Sequence, residues 1–404
     1  MAVRGRIRAR KDRSGIALLV VIAALMFMVT LVTDIDFGTR VRFVASAHTR
    51  DASQSYWIAN SGVSVMRLVL MGNKQMGKYL TSKGNSEICT MVSTMGMSCN
   101  DPLLSFLPFV NTGLMRMMFA GNGSLDEEEV EQYASDGQLS EEVSEESRES
   151  GGRFGDKNFL DFDGDFSASA EGEDCKINIS GLSKHKEPLQ DDPVYKMLES
   201  LMAGEENETW LRERDLTALE LVGNLADWVD ADSTVSSGNG SYEDNFYNRL
   251  ESPYLSKNAA FDSKDEIRLV EGWQDEVFER WADKLTIYGS KKINISCTDT
   301  EVVKMMLRAY GGLTNDAEVD SAVSKLAQWK TDGNVIMSCP DFKRALSEYG
   351  GITLTADFDT NCTSKNTVYT VTSTGSVGDV LVTITAVVDQ TDSDAGRVKY
   401  WRVD

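Results

Sequence analysis

Five carboxylates crowd one short stretch of the chain: Asp227, Asp230, Asp232, Glu243 and Asp244, set around a Ser/Gly-rich segment at 236–240. Hard oxygen donors at irregular spacing suit Ca²⁺. Asp227 and Asp230 are helical neighbours three positions apart, so a loop that follows can fold back over both. The same residues also fit a solvated helix end. They could serve a metal-dependent hydrolase too, but no convincing nucleophile–base pair accompanies them. The chain has 2 histidines, His48 and His185. Histidine-based acid–base catalysis or a multi-histidine metal site is therefore hard to build. A second acidic run, Asp161-Phe-Asp-Gly-Asp165, has its glycine misplaced for an EF-hand and no closing glutamate, so it reads as a turn.

The 6 cysteines are Cys89, Cys99, Cys175, Cys297, Cys339 and Cys362, and none forms a CxxC. Zinc ribbons and thioredoxin-like sites are disfavoured. An even number beyond an export signal predicts disulfides, with reduced core cysteines as the alternative. The expected pairs are Cys89–Cys99, Cys339–Cys362 and Cys175–Cys297. Lys plus Arg is 41 and Asp plus Glu is 63, a net charge of −22 over 404 residues. That balance repels phosphate backbones, so nucleic acid is excluded as a main partner.

The topology that must position these residues starts at the N-terminus. Arg4, Arg6, Arg8, Arg10, Lys11 and Arg13 precede Ile16–Thr33, IALLVVIAALMFMVTLVT, an uncharged stretch long enough to span a bilayer as a helix. The basic flank stays cytoplasmic, which places the remainder outside, where calcium is abundant. Gly15 directly before Ile16 has the look of a prepilin peptidase site; a plain signal anchor is the alternative. Cleavage there would leave the helix in the mature protein. Phe37, Val41, Val44, His48, Ala52, Tyr56, Ala59, Val63, Met66 and Leu70 continue a helical stripe. Its partner would be the protein's own sheet or neighbouring helices, with His48 a packing residue.

Beyond the helix, residues 72–120 are rich in Met and Gly, and 122–156 form an acidic Ser/Gly tract predicted to be a flexible loop. Phe166–Ser180 alternates like strands. Lys176-Ile-Asn-Ile-Ser180 recurs as Lys292-Ile-Asn-Ile-Ser296, by chance or as the flanks of an insertion. Between the copies the pattern is helical. Asp192-Pro193 opens one helix, and Thr209–Asp230 reads as one long amphipathic helix. Ser263-x-x-Glu266 looks like a capping box. Thr298-x-x-Glu301 is expected to cap a further helix, and others follow near 316–330 and 340–349. Thr367–Thr374, a turn at Gly375–Gly378 and Val380–Val388 predict a hairpin, with Val398–Arg402 a last strand.

Several of these segments, in this order, resemble the K-type minor pseudopilins of bacterial type II secretion. Leu225-Ala-Asp-Trp-Val-Asp-Ala-Asp232 is close to the family's LADWxDxD segment. Acidic Tyr242-Glu243-Asp244, Pro253-Tyr254, Phe261–Glu271 and Gly272-Trp273 follow. Ile293-Asn-Ile-Ser-Cys-Thr298 is similar to an INVNTA-like strand but differs at its last two positions, and Tyr400-Trp401-Arg402 also fits. Pilin-like proteins carry Glu at the fifth mature position; here, counting from Ile16, it is Val20. K-type subunits characteristically lack that glutamate, which suits a subunit with none above it.

The resemblance implies an α+β, pilin-like fold: a long N-terminal transmembrane helix and a small antiparallel sheet, interrupted by an inserted all-α, SAM-like domain. The expected divisions are a leader at 1–15, the extended helix at 16–70, a pilin-like part at 71–180, the helical insert at 181–291 and a second pilin-like part at 292–404. The implied role is that of a non-enzymatic subunit at the tip of the pseudopilus. It would prime fibre assembly with the minor pseudopilins I and J for export of folded proteins across the outer membrane. Prepilin peptidase, the inner membrane and either the secretin or secreted substrates would be its other partners, and the new N-terminus would be methylated. The alternatives are a type IV pilus minor pilin or the membrane-anchored hydrolase above.

Overall fold

A computed structural model describes residues 14–82, 85–94, 98–119, 153–154, 157–158, 162–236, 243–296, 299–332, 336 and 338–404. The predicted acidic loop at 122–156 falls outside these residues, apart from Arg153–Phe154, which pair antiparallel with Lys157–Asn158.

The apolar N-terminal stretch and the stripe after it form one helix, α1, Ser14–Leu80, of 67 residues. At 1.5 Å per residue it is about 100 Å long. Its first part is long and apolar enough to cross a membrane, and Leu18 through Val32 present large apolar side chains outward. The predicted stripe divides in two. Ala59, Val63, Met66 and Leu70 are fully covered, whereas Phe37, Val41 and Val44 are exposed, as is His48.

The covering surface is a five-stranded antiparallel sheet made of β1 (Phe109–Asn111), β2 (Asp165–Gly172), β3 (Val368–Val377), β4 (Val380–Asp389) and β5 (Arg397–Val403), in that spatial order. Period-two alternation turns Phe166, Ala168, Val371, Ser373, Ile384 and Ala386 towards α1. The helix lies close to the sheet because the contact residues are small. A methyl group at Gly375 would run into the Ser55 carbonyl oxygen and the Ala59 amide, and one at Gly62 would strike the Ser373 hydroxyl. That hydroxyl donates instead to the Ala59 carbonyl at 2.8 Å. The hairpin turn is therefore tighter than predicted: Gly375 belongs to β3, and the reversal is at Gly378, with φ +56°, and Asp379.

At the upper end of α1, buried Asp101 accepts from Asn73 at 2.9 Å, Asn366 at 2.9 Å and Tyr369 at 2.8 Å. This joins α1, α2 (Pro102–Phe106) and β3. Cys89 and Cys99 are disulfide-bonded across Cα atoms 5.6 Å apart. Cys339 and Cys362 are bonded across 6.2 Å. Cys175 is disulfide-bonded as well; its predicted partner, Cys297, lies outside the described residues.

Between β2 and β3 the chain builds a second, helical core. Its helices are α3 (Pro193–Met202), α4 (Glu205–Arg212), α5 (Ala218–Val229), α6 (Asp275–Trp281), α7 (Thr300–Gly311), α8 (Asp316–Thr331) and α9 (Cys339–Ala345). One continuous apolar cluster runs through it from Ile177 to Cys362. The helical core thus continues well past the predicted boundary at 291, and the sheet resumes only at Val368.

The two repeated pentapeptides fold alike. Asn178 Oδ1 accepts from the Ser180 amide at 3.1 Å, and Asn294 Oδ1 from the Ser296 amide at 2.9 Å. Each Ile-Asn pair runs parallel to a short partner strand, Leu285–Thr286 or Cys362–Thr363. Each serine hydroxyl donates to a carbonyl beyond that partner, Ile287 or Ser364. A helix capped by aspartate follows each copy, α3 after Asp192 and α7 after Asp299, and the two helices pack together.

Candidate metal centre

The predicted helix Thr209–Asp230 is broken, and the break aims the acidic cluster. Arg212 ends α4, Asp215 takes φ +54°, and Thr217 caps α5 by accepting from the Glu220 amide at 3.2 Å while donating to its carboxylate at 2.7 Å. Leu221, Val222, Leu225, Trp228 and Val229 then enter the core. This fixes the rotation of α5, so that Asp227 is carried inward and Asp230, the C-terminal cap, is held at the core's edge.

From the other side Glu243 arrives just before a short helix, Asp244–Tyr247. Three aromatic rings hold this return: Trp228 meets Tyr247 at 5.4 Å and Tyr254 at 6.2 Å, and Tyr247 meets Tyr254 at 5.3 Å. Trp228 Nε1 donates to Glu266 at 3.0 Å, and the Tyr254 hydroxyl donates to the Leu269 carbonyl at 2.7 Å. The predicted capping box is displaced: the residues after Ser263 form a 3₁₀ turn in which Ser263 makes no side-chain cap, while Glu266 reaches back to accept from the Asp262 amide at 2.8 Å as well as from Trp228 and Lys257.

Asp230, Asp232 and Glu243 each offer a carboxylate oxygen, and these oxygens lie within 4.8 Å of one another. Asp230 and Glu243 are both 6% exposed. Neither oxygen of Asp230 has a hydrogen-bond partner, nor has Oε1 of Glu243. Buried carboxylates without donors are costly. Loss of hydration, then repulsion from Asp232 and Asp227, pushes Asp230 up from 3.8 to about 6. Loss of hydration, then Asp227 and Asp230, pushes Glu243 up from 4.5 to about 7. Asp227 is raised for the same first reason.

The five predicted ligands do not all converge. Asp227 stands close enough to repel its neighbours, but its Oδ1 accepts from the Ser236 amide at 2.8 Å. Asp244 turns to Ser256, accepting from its amide at 2.9 Å and its hydroxyl at 3.0 Å. Of the Ser/Gly segment only Ser236 is described. His185, unconnected to this cluster by any sequence spacing, lies with Nδ1 3.9 Å from Asp230 and 3.1 Å from the Leu182 carbonyl oxygen. Ser256, which donates to Glu243 at 3.2 Å, is a second residue that the spacing concealed. The donor set is all oxygen, and three of its buried carboxylate oxygens have no hydrogen-bond partner. That chemistry fits a hard divalent cation such as Ca²⁺.

The Asp163–Asp165 run makes a turn. Gly164 has φ +109°, and Asp165 opens β2 and pairs with Arg116 at 3.3 Å.

The helices that carry the acidic cluster lie inside a recognisable sequence unit. Residues 175–290 match the family model described as type II secretion system (T2SS), protein K. The type II secretion system protein K of Aeromonas hydrophila is 31% identical over 137 residues, covering 33% of this chain and 38% of that protein. The match thus spans well under half the length of that relative. A solved structure, the GspK-GspI-GspJ complex from the enterotoxigenic Escherichia coli type 2 secretion system, aligns over 60% of this chain and 80% of its own, with 14% identity and a TM-score of 0.46.

Proposed function

We propose that this chain, whose residues 175–290 carry the sequence signature of type II secretion protein K, works as a minor pseudopilin at the tip of the secretion pseudopilus. The observation that carries the reading is the combination of that domain with α1. One uninterrupted helix runs from a membrane-spanning stretch directly into the face of a small sheet. Such a helix transmits position rather than chemistry: it holds a globular body at a set distance from the bilayer. The protein K match favours type II secretion over a type IV pilus.

In this reading prepilin peptidase cuts between Gly15 and Ile16, and the new N-terminus is methylated. Val20, at the fifth mature position, leaves no carboxylate to pair with the N-terminus of a subunit above, so this subunit ends the fibre. The described globular parts lie in the periplasm, the span crosses the inner membrane once, and the minor pseudopilins I and J are direct partners. The secretin or exported proteins would meet the outer face. The role is structural, without catalysis.

Asp230, Asp232 and Glu243 would hold Ca²⁺, with Asp227 and Asp244 adding negative charge around it. The cation supplies charge neutralisation. The protein's own contribution is to keep α5 and the 243–256 segment together while their carboxylates remain ionised.

Co-expression of the full chain with the I and J minor pseudopilins tests the assignment. A detergent-stable ternary complex is expected, together with loss of secretion when this gene is deleted. Secretion that proceeds normally in the deletion strain removes the proposal.

A further inference from the structure

The carboxylates of the acidic cluster are placed by different means. Asp230 caps the end of α5, Glu243 stands at the start of the short helix Asp244–Tyr247, and both are buried. Asp232 lies beyond the end of α5 and is exposed, so burial does not fix it. Two hydrogen bonds do. Its Oδ1 accepts from the Thr234 amide at 2.8 Å, which closes a local turn. Its carbonyl oxygen accepts from Asn258 Nδ2 at 2.8 Å. Only the second bond ties Asp232 to a distant part of the chain.

Asn258 ends a strap, residues 254–258, in which every residue but one is anchored. The Tyr254 hydroxyl donates to the Leu269 carbonyl at 2.7 Å. Ser256 donates to Asp244 through its amide at 2.9 Å and its hydroxyl at 3.0 Å, and the hydroxyl also meets Glu243 at 3.2 Å. Lys257 reaches Glu266 at 2.9 Å, and that carboxylate holds Trp228 of α5 at 3.0 Å. Leu255 alone turns outward, 62% exposed. Asn258 has φ +48°, in the left-handed region that only Asp215 shares among the described non-glycine residues. Asparagine tolerates that region better than most side chains. The strap therefore touches the cluster twice, at Glu243 through Ser256 and at Asp232 through Asn258.

We infer that Asn258 is a positioning residue for the cation: it holds the exposed Asp232 beside Asp230 and Glu243, and an occupied site in turn fixes the strap. The inference rests on the cation reading above, which is supported by the two Asp230 oxygens that lack a hydrogen-bond partner. In the empty cluster the three carboxylates repel one another, and the exposed one is the freest to leave. With Asn258 in place, Asp232 can leave only by breaking its bond to the strap. Coupling of this kind is reciprocal, so whatever the strap contributes to cation affinity, the cation returns as order in the strap.

The test compares the wild type with Asn258→Gly, each as the full chain in detergent. Glycine adopts φ +48° without strain, so the substitution removes the donor and leaves the backbone unforced. Calorimetric titration with calcium chloride should show saturable uptake by the wild type and about tenfold weaker uptake by the variant, the scale of a lost outer partner of a metal ligand. Hydrogen exchange over 254–258, read by mass spectrometry, should slow on adding calcium to the wild type and slow less in the variant at saturating calcium. The melting point in chelator should be the same for both proteins, which a merely structural role would not allow. Equal calcium affinity in the two proteins, or a strap whose exchange ignores calcium, overturns the inference and leaves the cation site standing. A variant that melts lower in chelator by as much as in calcium overturns it likewise. A wild type that takes up no calcium removes the cation site and the inference together.

Discussion

With no cation in the acidic cluster, this protein should become more stable as the pH falls from 8 to 5, the reverse of ordinary acid behaviour. Asp230 stands at about 6 against 3.8, and Glu243 at about 7 against 4.5. Both carboxylates are therefore harder to ionise when folded than when unfolded. The folded state carries this penalty in full above pH 7. It sheds the penalty as Glu243 and then Asp230 take up protons near 7 and 6. One pH unit corresponds to about 1.4 kcal/mol. Counting the mutual repulsion of the two groups once, and allowing for solvent at the loop's edge, leaves a penalty of roughly 3 kcal/mol. At about 2 °C per kcal/mol, Tm should rise by about 6 °C between pH 8 and pH 5. Glu173, Asp299, Asp389 and Asp394 are all held below their ordinary values, so the stability they confer is lost only below that window. The assay is a melting series on the full chain in detergent with chelator, repeated with millimolar-range calcium. Asp230→Asn should flatten the chelated profile and raise it at pH 8. Calcium should stabilise the wild type at pH 8 by mass action but not Asp230→Asn/Asp232→Asn. A chelated wild type whose Tm does not rise towards pH 5, or an equal calcium shift in the double variant, would refute the reasoning.

Three further outcomes follow from other parts of the chain. Mass spectrometry of the protein purified from membranes should find Ile16 as the N-terminus; Met1, or a cut after Thr33, would remove the prepilin reading. Gly375→Ala should lower stability by about 1–3 kcal/mol through overpacking against Ser55 and Ala59, read as a lower denaturant midpoint with unchanged slope; an unshifted midpoint would show that α1 can lift from the sheet at no cost. Replacing Cys339 and Cys362 by serine opens a loop with a sequence separation of 23 and should cost about 3 kcal/mol, measured by the same denaturant titration, with a neutral result arguing against a structural disulfide.

How far the residues alone could be read depended on how local the deciding interaction was. The apolar N-terminal helix, the N-cap at Asp192, the helix near 316–330 and the terminal hairpin all follow from near neighbours, and all stand in the structure. The break after Arg212 had a local signal too, the Thr217-x-x-Glu220 box, masked by the apolar periodicity on either side. Ser263-x-x-Glu266 had the same form, yet there Ser263 makes no cap bond and Glu266 accepts from the Asp262 amide, one position earlier, and from Trp228, 38 positions away.

The long helix, the alternation of the strands and the acidic segment were legible along the chain, because each is a property of residues a few positions apart. Tertiary structure decided which carboxylates meet. Asp230, Asp232 and Glu243 converge because α5 is rotated by its apolar face and Tyr247 and Tyr254 pack the returning segment edge-on against Trp228. Asp244, next in sequence to Glu243, is held instead by the amide and hydroxyl of Ser256. His185 reaches Asp230 from a turn far away in the chain. Likewise, α1 stays exposed over Phe37, Val41 and Val44 and is covered over Val63, Met66 and Leu70. The periodicity is the same in both halves; the difference is where the sheet lies, and that is set by contacts between residues some three hundred positions apart.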